Sequence, residues 1–240
     1  MRIAVFSDIH GNKHALDEVL KHIQAKNPDL VVCLGDLVGY GAFPDEVVQT
    51  IKDAGISTVM GNYDDGIANQ RMVCGCDYKD EKAAELGLKS ISWTLENTGE
   101  ESKDFMRSLP DRILKKIDNY SVMFVHGSPR RLNEYLFEDV PAGEITPMMQ
   151  EAGVNVLVCG HTHLPYHRVL EPGVHIINAG SIGKPKHGDP QAVYALLEID
   201  KDIEVTFIKV PYDYEAAAGA VEKAGLPEEF ASIIRTGKEA

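Results

Sequence analysis

Five short apolar runs in this chain each stop, within a residue or two, at Asp, Asn or His. IAVF leads into Ser7-Asp8-Ile9-His10, LVVCL into Gly35-Asp36, and TVM into Gly61-Asn62. VMFV leads into His126-Gly127, and VLVC into Gly160-His161-Thr162-His163. Runs of this length bounded by turn residues read as buried strands. In an α/β sheet the ligand crevice lies beyond the C-terminal strand ends, so five such ends converge there. They would gather two Asp, one Asn and four His. Imidazole, carboxylate and amide oxygen without thiolate suit Mn, Fe, Zn, Co or Ni. Seven side chains are too many for one ion and right for two that share a bridge. Glycines beside four of the ligands are expected to let the backbone turn sharply. Singly, each piece has a plainer reading: His126 a satisfied core histidine, Asn62 a turn residue. Five in order at strand ends do not.

The remaining pattern fills in an α/β domain. Further strand-like runs are Val174–Ile177, Val193–Ile199 and Ile203–Ile208. Between the early runs, Lys13–Ala25 carries Ala15, Leu16, Val19, Leu20 and Ile23 at the spacing of one helix face. Asp45–Ala54 follows a Pro suited to a helix start and precedes Gly55, suited to its end. Residues 79–109 are polar and helix-favouring, with Ala83, Leu86, Ile91, Trp93, Leu95 and Phe105 for apolar contact. Residues 65–112 therefore read as a helical insertion, either a cap over the site or an ordinary packed helix pair. Residues 213–240 read as one or two closing helices. No repeat or linker divides the chain, so residues 1–240 are expected to form a single domain.

Composition limits the alternatives. With 44% hydrophobic and 25% charged residues, the chain has the make-up of a globular protein. No apolar stretch approaches the length of a membrane span, and the first residues, MRIAVFSDIH, lack the long apolar region of a secretory leader. A cytoplasmic protein with no membrane partner is expected. The net charge of −13 disfavours stable nucleic-acid binding, while bound cations can still make one site attractive to an anion. Cys33 and Cys159 fall inside apolar runs and read as small core residues. Cys74 and Cys76 form a C-x-C that lacks the second pair a structural zinc site needs. Oligomeric state is not legible.

These residues resemble the calcineurin-like metallophosphoesterases, whose pattern is D-x-H, G-D, G-N-H-D/E, H and G-H-x-H. The match runs from residue 1 to about 200. SDIHGN, GDLVGYG and NAGSIGKP are similar to the small bacterial and archaeal phosphodiesterases, some of which hydrolyse artificial diesters or dinucleoside polyphosphates. The resemblance implies a four-layer α/β/β/α sandwich of two mixed sheets flanked by helices. It implies that Asp8, His10 and His163 bind one divalent metal ion, Asn62, His126 and His161 a second, and that Asp36 bridges them. Mn stands first among the candidate ions, with Fe, Zn, Co or Ni as alternatives. The implied reaction is attack of a metal-bridging hydroxide on a small anionic phosphate ester, a phosphodiester or nucleotide phosphoanhydride. A phosphomonoesterase, a protein phosphatase and a noncatalytic scaffold of the same fold are the competing readings.

Two positions depart from the family pattern. Tyr63 replaces the His of G-N-H-D/E; a phenol can donate a hydrogen bond but brings no positive charge, so weaker action on poor leaving groups is expected. Gly39 and Tyr40 replace the Asp and Arg of the protein-phosphatase branch. Beyond the metal ligands, Tyr63, Asp64 and Arg130 are catalytic candidates, and Asn12, Arg130 and Lys184 substrate-binding ones. Three of these have a plainer alternative. Asn12 suits a helix cap, Asp64 a support for a ligand, and Arg130 with Arg131 a solvated pair. His14, His22, His167, His175 and His187 read as surface or packing residues.

Overall fold

Alternation within β1 (Arg2–Phe6) sets the layering. Ile3 and Val5 join one apolar cluster and Ala4 and Phe6 another, as the two-residue period of a strand requires. All four are fully buried, so both faces of the strand are covered. The computed structural model describes residues 1–72 and 80–239, and Cys74 and Cys76 lie outside the described residues. β1 pairs in parallel with β2 (Leu30–Cys33), and β2 with the short β3 (Ser57–Thr58). On the other side of β1, the antiparallel β9 (Ala192–Ile199) and β10 (Ile203–Val210) complete a sheet of order β10-β9-β1-β2-β3. A second sheet has the order β4-β5-β6-β8-β7. Its members are β4 (Arg112–Ile117), β5 (Tyr120–Val125), β6 (Val156–Cys159), β7 (Tyr166–Glu171) and β8 (Val174–Asn178). β5, β6 and β8 run parallel, and both edge strands run antiparallel to their neighbours.

The two sheets stack face to face. Ile3, Val5, Val32 and Leu34 from the first meet Val122, Phe124, Val156 and Val158 from the second. The outer face of the first sheet is covered by α1 (Lys13–Lys26), α2 (Pro44–Asp53), α7 (Tyr214–Lys223) and α8 (Glu228–Thr236). The same cluster takes residues from α3 (Asn62–Ala68), α4 (Glu81–Glu96) and α5 (Glu100–Arg107). α6 (Ala142–Glu151) covers Met123, Leu157 and Ile176 on the outer face of the second sheet. The result is two mixed sheets flanked by helices, the expected four-layer sandwich. Cys33 and Cys159 are fully buried on these helix-covered faces, as their apolar surroundings implied. Among the described residues no helix is long and apolar enough to cross a membrane.

The structure adds four elements that the apolar pattern did not announce. β4 (RILKKI) and β7 (YHRVLE) are the two edges of the second sheet. Edge strands carry charge because their open hydrogen-bonding side must not recruit another chain, and that charge hides them from a search for apolar runs. α6 contains Pro147, and α3 is only seven residues long and begins at Asn62.

Candidate metal centre

The ligand loops are extensions of the sheets. Beyond the end of β1 and β2, Asp8 N–H donates to Gly35 O at 3.0 Å and His10 N–H to Asp36 O at 2.9 Å. Backbone pairing thus fixes Asp8, His10 and Asp36 in register. In the second sheet Gly160 N–H donates to His126 O at 2.8 Å, which aligns the loops after β5 and β6. Asp8, Asp36 and Asn62 therefore come from one sheet and His126, His161 and His163 from the other. The crevice lies across two stacked sheets, rather than along one open sheet.

The sharp turns are made by the ligands themselves. Asp8, His10, Asp36, His161 and His163 have φ of 55°, 49°, 54°, 66° and 62°, in the left-handed region that costs a non-glycine residue about 1–3 kcal/mol. Of the adjacent glycines, Gly35 takes φ of +88° and makes a turn as expected, while Gly61 and Gly160 serve for room: a Cβ on Gly160 would sit 2.2 Å from Ser7 Oγ, and one on Gly61 2.1 Å from Asp36 N.

Seven side chains meet in two groups. Asp8, His10 and His163 form one, and Asp36, His126 and His161 the other, each with its ligand atoms within 4.8 Å of one another. Asn62 joins the second, its Oδ1 2.9 Å from His126 Nε2. Asp36 stands between them: its Oδ2 is 3.6 Å from His10 Nε2 and 3.5 Å from His126 Nε2. Its other oxygen accepts from Tyr63 N–H at 2.8 Å, which leaves Oδ2 facing inward. All seven are buried.

The imidazoles are oriented for cations. His10 Nδ1 lies 3.0 Å from Val38 O, His163 Nδ1 2.5 Å from Lys184 O, and His126 Nδ1 2.8 Å from Leu34 O. A carbonyl only accepts, so each Nδ1 carries a proton, and the neutral rings of His10 and His163 present a bare Nε2. At His126 burial disfavours the charged ring, but Asp36 and Asp8 outweigh it and raise its proton affinity, so a cation there takes the place of a proton on Nε2. The Nε2 atoms of His10 and His163 then face each other at 3.3 Å. His126 Nε2 faces Asn62 Oδ1 and, at 3.1 Å, His161 Nδ1. Lone pairs converging on one another and on carboxylates repel unless a cation lies among them, so the donor set fits two divalent ions. Backbone carbonyls that fix the ring tautomer are the usual support of such sites.

Proton affinities follow the same arrangement. Burial, then the neighbouring His163, keeps His10 well below the ordinary histidine value, and burial brings His163 down to about 4. His161 is lowered by burial and His126. Burial opposes charge on Asp8, but His163, His126 and His10 outweigh it and hold the carboxyl low. Asp36 behaves oppositely: burial, opposed by His126 and reinforced by Asp8 and Asp64, pushes it up to about 8. Without cations, protons are drawn to the bridging position.

The centre forms the floor of a cavity of about 350 Å³. Its floor includes His10, Asp36, His161 and His163, and its walls come from Tyr40, Tyr63, Tyr135, α4 and α8. Tyr63 is buried, with its ring edge-on to His10 at 5.4 Å. Lys184 places its ammonium 4.0 Å above the Tyr40 ring, inside the cavity. Leu86 and Gly87 of α4 line the cavity, and Ser90 Oγ on the same helix accepts from Tyr40 N–H at 2.9 Å.

Three of the candidates do not line this cavity. Asn12 does not line the cavity: its Oδ1 accepts from Ala15 N–H and its amide donates to Gly183 O and Tyr212 Oη, so it caps α1 and ties it to a loop. Arg130 lines a second cavity, which it shares with His126, and pairs with Glu134 at 2.5 Å. Asp64 points away from the reaction space. It accepts N–H groups of Asp36, Leu37 and Gly61 at 2.9, 2.8 and 2.9 Å, so it positions the ligand loop.

Motif reading missed Tyr135, Lys186 and Glu239, which also line the cavity. Tyr135 stacks on His161 with centroids 3.9 Å apart and lies in no motif. Lys186 had a signal, as the second lysine of Gly183-Lys184-Pro185-Lys186.

Residues 1–202 match the model of the calcineurin-like phosphoesterase superfamily domain. The chain is 33% identical to an uncharacterized protein of Methanocaldococcus jannaschii, with 98% of each covered. A metallophosphoesterase from Sphaerobacter thermophilus is 30% identical, with a TM-score of 0.77 and 99% of each chain covered. A hypothetical protein of Pyrococcus horikoshii OT3 is 25% identical, with a TM-score of 0.85 over 100% of this chain and 99% of its own.

Proposed function

This chain belongs to the calcineurin-like phosphoesterase superfamily and is a metal-dependent phosphoester hydrolase; on that premise we propose that it cleaves small-molecule phosphodiesters or nucleotide phosphoanhydrides. The observation that carries the reading is Asp36 Oδ2, set between two groups of bare imidazoles and carboxylates. Asp8, His10 and His163 would hold one ion, Asn62, His126 and His161 the other, and Asp36 both. Two divalent ions there, with Mn as the expected choice, would supply Lewis acidity that neutralises phosphoryl oxygens and makes water acidic near pH 7.

The protein's own groups supply the rest. Asp64 holds the Asp36 loop rigid through three backbone N–H groups, so the bridging carboxylate needs little reorganisation. Lys184 attracts the phosphate into the cavity. Tyr63 donates a hydrogen bond to the leaving oxygen, in place of a charged imidazole. Apolar walls from α4 and α8 accept organic substituents, and a diester offers a second one where a monoester carries a charged oxygen. We place the reaction in the cytoplasm.

Purified protein supplied with Mn is expected to hydrolyse bis(p-nitrophenyl) phosphate faster than p-nitrophenyl phosphate. Asp36→Ala is expected to remove that activity, about 10³-fold or more, given what a lost site for charge stabilisation costs. Undiminished turnover in the variant rejects the assignment, and a clear monoester preference reverses the substrate order.

A further inference from the structure

Lys186 and Glu239 face each other inside the cavity that the metal centre floors. Their charged atoms are 2.7 Å apart, with side-chain exposures of 19% and 40%. Neither group belongs to the motifs that define the family pattern above.

Both partners are placed by the backbone. The loop that carries Lys186 is pinned to the centre: Ile182 N–H donates to Ser7 O and Gly183 N–H to Asp8 O, each at 3.1 Å, and Ser181 Oγ donates to Asp8 O at 2.8 Å. Gly183 packs so closely that a Cβ there would lie 1.7 Å from Ile9 O. On the other side, Gly188 N–H donates to Gly237 O at 2.8 Å. That bond lays the segment after α8 along the loop and brings Glu239 to Lys186.

We propose that Lys186 is the subsite for a second phosphoryl group of the substrate, and that Glu239 fills it until substrate displaces it. The proposal rests on the phosphoesterase reading above and deepens it by naming a polyphosphate substrate. A simple diester has one phosphorus, which the metal centre and Lys184 account for. Lys186 lies farther along the loop and is neutralised by a carboxylate from a remote part of the chain. A phosphoryl group carries more charge and more acceptor oxygens than a carboxylate, and a partly exposed ion pair contributes little stability, so the exchange favours phosphate. The substrate class that uses both positions is a nucleoside or dinucleoside polyphosphate, cleaved at one phosphorus and held at another.

The test compares kcat/KM for a dinucleoside tetraphosphate and for bis(p-nitrophenyl) phosphate in Mn-loaded wild type, Lys186→Gln, Lys186→Arg and Glu239→Gln. Lys186→Gln is expected to lower the ratio of polyphosphate to diester efficiency about tenfold, mainly through KM. Lys186→Arg is expected to restore most of it, and Glu239→Gln to raise it about threefold or more by lowering KM for the polyphosphate. Equal losses on both substrates in Lys186→Gln, or an unchanged ratio in Glu239→Gln, overturns the subsite. Failure of wild type on both substrates instead overturns the phosphoesterase reading itself.

Discussion

Tyr63 and Gly39, the two departures from the family pattern, are one packing event. A Cβ on Gly39 would lie 2.3 Å from Tyr63 Cδ1, and Gly39 has φ of +92°. The ring occupies the space that any side chain at position 39 would need. Gly39→Asp is therefore expected to push Tyr63 out of place and to lower both stability, by about 1–3 kcal/mol, and diesterase activity. Thermal unfolding and turnover of the variant check this, and a fully active, equally stable variant refutes it. If the phenol donates to the leaving oxygen, Tyr63→Phe lowers kcat about 10²-fold with little change in KM, and the loss is greatest for poor leaving groups. A uniform effect across leaving groups would assign Tyr63 to packing alone.

At the scale of elements, Asp64 in the first turn of α3 joins that helix to the loop after β2. Its three backbone partners belong to Asp36, Leu37 and Gly61. Asp64→Ala strands three buried N–H groups, which costs roughly 3 kcal/mol or more, and it loosens the bridging ligand. The expected result is a lower midpoint in urea together with weaker Mn binding in calorimetry. A stability loss with unchanged affinity would confine Asp64 to the fold. β4 makes a different case. Arg112, Lys115 and Lys116 are exposed along an open sheet edge. Replacing both lysines with Val is expected to promote edge-to-edge association, seen as earlier elution in size-exclusion chromatography.

The molecule as a whole couples folding to cation binding. Five ligands in left-handed backbone and a cluster of facing lone pairs are sustained by the surrounding sheets. At 100 times its Kd, a bound ion adds about 2.7 kcal/mol, which for a chain of this size raises Tm by about 5–10 °C. The sign of the pH effect follows from Asp36. Its folded-state value is raised to about 8, so the metal-free protein binds this proton more tightly than the unfolded chain does. That contribution is present at low pH and is lost as pH rises through 8. Cations must displace the same proton. Stabilisation by Mn should accordingly grow between pH 6 and 8.5 in differential scanning calorimetry, and a pH-independent increment would contradict it.

The chain alone determined its strands where both faces are buried, because β1, β2, β5 and β6 then read as unbroken apolar runs. It also determined the ligand types at their ends, since the donor set is a matter of residue chemistry. Tertiary structure decided what depends on neighbours from elsewhere. The charged edges β4 and β7 became strands because β5 and β8 offered them a partner. Asn12 and Arg130 were drawn away by Gly183 and Glu134, and Asp64 by three backbone N–H groups. Tyr135, Lys186 and Glu239 joined the cavity through contacts that no local pattern encodes. Even the opposite proton affinities of Asp8 and Asp36 arise this way: two identical side chains in similar local sequence differ because of which distant charges folding places beside each.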